Sequence, residues 1–89
     1  MRAIISVIGV DTVGIIAAVS EVLSDHNVNI LEITQSVIDK YFAMVLLADL
    51  SKGDVDVRQL SDLLTAVGEK KQVQIHTMHE DIFNSMHRI

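Results

Sequence analysis

A carboxylate stands between two glycines in Gly9-Val10-Asp11-Thr12-Val13-Gly14-Ile15. An apolar run, Ala3 to Ile8, leads into this stretch, and a helical pattern, Ile15 to Leu23, leads out of it. The stretch therefore reads as a strand-to-helix turn. Gly9 is free to take backbone angles closed to other residues. Asp11 or Thr12 suits the N-cap, because its side-chain oxygen accepts an N–H of the first turn. Gly14 costs about 1 kcal/mol of helix propensity against Ala, which points to close packing there by a strand or a ligand. The N–H groups of Val13, Gly14 and Ile15 then offer a small anion site. A plain tight turn satisfies the same residues, and the turn alone favours neither reading.

Other chemistry finds less support. His76 and His79 are three apart with Glu80 adjacent. On a helix that spacing can share a metal, but His76 ends a strand and the pair straddles an element boundary. A His-based metal site is thus the weaker alternative to solvated or helix-packing histidines. His26, near a helix C-terminus, meets the helix dipole. None of the serines sits in a nucleophile elbow. Asp11 and Glu32 have no spacing that fixes them as an acid–base pair. With no cysteine, thiolate ligands, disulfides and a Cys nucleophile are excluded. The expectation is a non-enzymatic chain with no catalytic residues and no cofactor.

The elements that must hold the Gly9–Gly14 turn follow from hydropathy. Eighty-nine residues make one domain, 1–89, marginal alone and helped by oligomerisation. The net charge of −5 argues against a nucleic-acid surface. No apolar run is long enough for a bilayer helix, and the start runs straight into a strand, so the expectation is a cytoplasmic protein without a signal peptide.

Ala3 to Ile8 reads as a strand buried on both faces, and 13–25 as a helix with an inner stripe of Ile15, Ile16, Val19, Val22 and Leu23. Asn27 is a left-handed stop. Residues 29–38 alternate as a half-buried strand, and Asp39-Lys40 is a two-residue turn. Residues 41–50 are apolar on both faces, which places that strand centrally and requires a cover for its second face. A second helix starts near Asp56, close to a capping box with Gln59, and ends at Gly68. A fourth strand spans 72–77, and Ile82, Phe83, Met86 and Ile89 mark a short C-terminal helix. The order predicts an α+β, ferredoxin-like βαββαβ sandwich: a four-stranded antiparallel sheet, two helices on one face, and the short extra helix.

The first strand and G-x-D-x-x-G-I at Gly9 to Ile15, followed by Asn27-Val28-Asn29-Ile30, resemble the ACT-domain pattern of strand, turn, helix and N-I opening strand two. The tail from Asp81 to Ile89 is similar to that of small stand-alone ACT proteins of the UPF0237 group, which resemble the glycine cleavage system repressor. Where members often carry Gly before N-I, this chain has Asn27-Val28. The resemblance implies a regulatory module that pairs as a homodimer and binds an amino acid or similar small molecule at the interface. It would put Asp11 at the ligand amine, the amides from Val13 through Gly14 to Ile15 at its carboxylate with Thr12 alongside, and Asn29 and Ile30 of a partner on the other wall. The alternative is a protein–protein interaction module without a small ligand, docking a protein partner on the second face of the third strand and the tail.

Overall fold

The computed structural model describes residues 1–10 and 14–86. Its elements are β1 (Arg2–Val10), α1 (Ile15–Asp25), β2 (Asn29–Ile38), β3 (Tyr41–Asp49), α2 (Val57–Lys71), β4 (Gln74–His79) and α3 (Glu80–Met86). The strands form one sheet in the order β2-β3-β1-β4, antiparallel at every pairing. This is the expected ferredoxin-like sandwich.

The two central strands carry the core. Ala3, Ile5 and Val7 of β1 and Phe42, Met44, Leu46 and Ala48 of β3 form one continuous apolar cluster with Ile15, Val19 and Leu23 of α1 and Leu60 and Leu64 of α2. Alternation does this: every second strand residue meets the helices. The remaining residues of β1 and β3 face away. Ile4 and Ser6 are half-buried, and Ile8, Val10, Ala43 and Val45 are exposed. The expectation that β1 is buried on both faces is therefore corrected, and among the described residues the second face of β3 has no full cover.

The edge strand β2 departs from expectation more. Its alternation predicts a half-buried strand, yet all ten residues are exposed. Its helix-side residues Ile33 and Val37 pair with Leu46 and Phe42, whose own side chains are buried. Two helices packed over β1, β3 and β4 leave the edge uncovered. A bulge interrupts its pairing, with Ile30 opposite Ala48 and Glu32 opposite Leu47, so Leu31 is the extra residue.

Local chemistry sets the boundaries. Asn27 has φ 56° and Asp39 φ 55°, both left-handed, which explains how the Asp39-Lys40 hairpin turns without glycine. The capping box of α2 is complete: Gln59 N–H donates to Asp56 Oδ1 at 2.8 Å, and Asp56 N–H donates to Gln59 Oε1 at 2.9 Å. Gly68 does not end α2, which runs on to Lys71 and stops at left-handed Gln72. Gly68 is there because a Cβ would stand 2.7 Å from the Val73 carbonyl oxygen. Ile16, expected on the inner stripe of α1, is 41% exposed.

Two devices tie the lower end together. The Arg2 guanidinium hydrogen-bonds Glu80, joining β1 to the start of α3. His26 Nδ1 lies 2.8 Å from Asp54 Oδ1, and Asn27 Nδ2 donates to the Lys52 carbonyl at 2.8 Å, so the β3–α2 loop is fastened to the α1–β2 turn. In α3, Phe83 is half-buried and Ile82 exposed; the side chain of Met86 and residue Ile89 lie outside the described residues.

Candidate functional site

The turn after β1 brings a helix start and a cation together. Asp11, Thr12 and Val13 lie outside the described residues. Gly14 is the N-cap of α1 with φ 92°, ψ 0°, and helical geometry begins at Ile15. The expected cap by Asp11 or Thr12 is thus corrected: the cap position is Gly14, whose left-handed backbone suits glycine. The first-turn amides shift with it. Ala18 N–H bonds to the Gly14 carbonyl at 2.9 Å, so Ile15, Ile16 and Ala17 carry the first-turn N–H groups that have no intrahelical acceptor. Ile15 itself is core, 2% exposed, and offers only its backbone.

No acid stands in the first turn of α1 among the described residues. Instead, a Cβ on Gly14 would lie 3.4 Å from Nζ of Lys71, in the last turn of α2. Helix dipole and ammonium add in sign, and both favour an anion such as a carboxylate. Sequence reading missed Lys71, because it comes from a distant helix and spacing gives no signal for it. Gly9 plays a different part from that expected. A Cβ there would stand 2.7 Å from Cγ1 of Val73, so its role is close approach of β1 to the start of β4.

Asn29 and Ile30 are at the other end of the sheet. Asn29 pairs with Asp49, which pairs with Arg2 at the beginning of β1, while Val10 at its end pairs with Tyr41. Eight residue steps at about 3.3 Å put the two ends of β1 some 26 Å apart. In one chain, then, Gly14 and Ile15 are not brought together with Asn29 and Ile30.

Each end borders a cleft. Gly9, Val10, Gln72 and Gln74 line one of about 780 Å³ at the end of β1. Asn29, Ile30, Ser24, Asp49 and Lys52 line another of about 660 Å³ at the start of β2. In the second, Asp49 accepts the Ser51 N–H at 2.9 Å, and this bond holds its carboxyl below the usual range.

The histidine alternative fails on geometry. His76 pairs with Ser6 and His79 with Ala3, so they sit on opposite faces of β4. No group of three or more His, Asp or Glu side chains among the described residues is placed to hold a metal. Glu32 pairs with Leu47, toward the far end of the sheet from Val10. No helix among the described residues is long and apolar enough to cross a membrane.

Comparison with known proteins gives the same architecture. The UPF0237 protein of Clostridium perfringens is 47% identical over 89 residues, covering 100% of both chains. An ACT domain protein from Streptococcus pneumoniae superposes with TM-score 0.80 at 36% identity, over 93% of each chain. A structure described as a glycine cleavage system transcriptional repressor shares the fold at 18% identity, with TM-score 0.73 over 86% of this chain and 44% of that one. The ACT domain family model matches residues 2–78, and the chain belongs to the ACT domain family.

Proposed function

We propose that this chain is a non-catalytic regulatory module that binds an amino acid or close analogue in a site completed by a second copy. The observation that carries the reading is the separation of the two walls. The Gly14 turn with Lys71 stands at one end of the sheet, and Asn29 with Ile30 at the other. A homodimer resolves it. The edge strand β2 is long, exposed and unpaired on its outer side, the kind of edge that takes another strand. Antiparallel pairing of β2 with its two-fold mate brings the start of one β2 toward the end of the partner's sheet, where the β1–α1 turn lies.

The roles follow from charge. The ligand carboxylate sits on the Ile15–Ala17 amides with Lys71 beside it. Asp11 takes the amine, Thr12 and Val13 border it, and Asn29 and Ile30 of the second copy close the other wall. Charged hydrogen bonds contribute about 1.5–3 kcal/mol each, net. Two or three of them, less the association cost, put Kd between about 10 μM and 1 mM, a range suited to sensing a metabolite pool. Thermal-shift screening of the twenty amino acids followed by calorimetry tests this. Binding by the wild type that is weakened in Asp11→Ala supports it; no binding at millimolar concentration removes it.

A second reading draws on the open face of β3, where Val45 is 43% exposed. It is a protein-docking module with no small ligand, and the same screen separates the two.

A further inference from the structure

We propose that Asp49 and Lys52 read the side chain of the bound amino acid, and that the side chain they select is a carboxamide. The inference rests on the shared site proposed above and names the chemical class of its ligand. In that site the ligand's carboxylate and amine face the turn of one copy, so its side chain points toward the wall of the second. That wall extends beyond Asn29 and Ile30. Ser24 near the end of α1, Asp49 at the end of β3 and Lys52 in the loop after it border the same cleft. Of these five residues only Ile30 is apolar.

The wall is built without a ligand. Asn27 Nδ2 donates to the Lys52 carbonyl at 2.8 Å, the Gly53 N–H donates to the Leu50 carbonyl at 2.9 Å, and His26 Nδ1 lies 2.8 Å from Asp54 Oδ1. These bonds fix the backbone that carries Lys52, while its ammonium has no ion pair among the described residues. Asp49 Oδ1 accepts the Ser51 N–H at 2.9 Å, which keeps the carboxyl ionised. Arg2, its cross-strand neighbour, is engaged by Glu80. A carboxylate has room for further donors.

The two charges decide what fits. Asp49 takes a donor and Lys52 gives one. A charged ligand side chain satisfies one of them and opposes the other. An aliphatic side chain strips water from both and returns no hydrogen bond. A carboxamide carries N–H donors and a carbonyl acceptor side by side with no net charge. It donates to Asp49 and accepts from Lys52. A site with hydrogen-bonding groups of this kind rejects an analogue that leaves them unpaired.

Calorimetric titration with L-asparagine and L-glutamine tests this against L-leucine, close in shape to asparagine, and L-methionine, close in length to glutamine. The wild type should bind the amides about 10- to 100-fold more tightly, the worth of a hydrogen bond to a charged group. Asp49→Leu and Lys52→Met should bring each pair within about threefold, chiefly by weakening the amides. Should Asp49→Leu fold poorly by circular dichroism, Lys52→Met carries the test, because the loop holds Lys52 by its carbonyl. Leucine, methionine, glycine or alanine binding as tightly as the amides overturns the carboxamide assignment and leaves the amino-acid site standing. An amide preference unchanged in a folded Lys52→Met overturns it in the same way. Failure of every amino acid to bind at millimolar concentration removes the site and this inference together.

Discussion

Lys71 Nζ stands 3.4 Å from the place a Cβ on Gly14 would occupy, so the C-terminal turn of α2 delivers a cation to the N-terminal turn of α1. The pairing favours α2, whose C-terminus prefers positive charge, and opposes α1, whose N-terminus prefers negative charge. A carboxylate bound there would relieve the opposition.

Lys71→Ala should therefore weaken amino-acid binding about 10- to 100-fold, the loss of one charge-assisted hydrogen bond. The unliganded protein should melt within a few degrees of the wild type, because the half-buried Lys71 favours one helix end and opposes the other. Calorimetry and thermal melts read both quantities, and equal affinity in the two proteins would take Lys71 out of the site.

The two glycines of the turn should respond differently. Gly14→Ala places a side chain on a φ of 92° and should cost about 1–2 kcal/mol through backbone strain. Gly9→Val forces atoms into Val73, where even a Cβ is too close, and should cost about 1–3 kcal/mol through overpacking. Adding Val73→Ala should recover part of the Gly9→Val loss and none of the Gly14→Ala loss. Denaturant titration of the wild type, the three single variants and the two double variants measures the coupling.

Asp56→Ala removes one half of the capping box and leaves the Gln59 N–H without its acceptor. The expected cost is about 1 kcal/mol, or about 4–8 °C in Tm for a domain of this size. Asp56→Asn should retain most of the stability, since Asn caps nearly as well.

Acid should weaken the lower end of the sheet. The hydrogen bond from Arg2 holds the Glu80 carboxyl below its ordinary 4.5, and the Ser51 N–H holds Asp49 below 3.8. Their contributions are complete above those ordinary values and are lost as pH falls through the lowered ones. Glu80→Gln should narrow the difference between neutral and acid stability, and salt should shrink the effect because the pair is exposed. An unchanged acid unfolding profile in Glu80→Gln would show that the pair contributes nothing.

Much of the fold was legible because it rests on short-range signals. Apolar runs marked β1 and β3 as strands, Asn27 announced the end of α1, and Asp56 with Gln59 announced the start of α2. What failed was tertiary. Whether a face is covered depends on where the helices lie, so β2 looked half-buried and Ile16 looked internal. Gly68 resembled a stop because the sequence does not reveal that Val73 turns back against it. At the site, the motif located the turn and the N-I pair. Lys71 follows only from the packing of the end of α2 beside Gly14, and the distance between the two walls only from the register of the sheet.

Walls at opposite ends of one sheet require a site shared between two copies, and complementation of damaged walls checks this. Lys71→Ala damages the turn wall and Asn29→Ala the opposite wall. If each site takes one wall from each copy, a mixed dimer of the two variants contains one intact site and one doubly damaged site. Random exchange makes about half the dimers mixed, so about a quarter of all sites should regain wild-type affinity. Calorimetric titration of the refolded equimolar mixture, with the amino acid that shifts the wild-type melting curve, should show that recovered fraction. A mixture that binds no better than the two variants measured apart would contradict a site shared between copies.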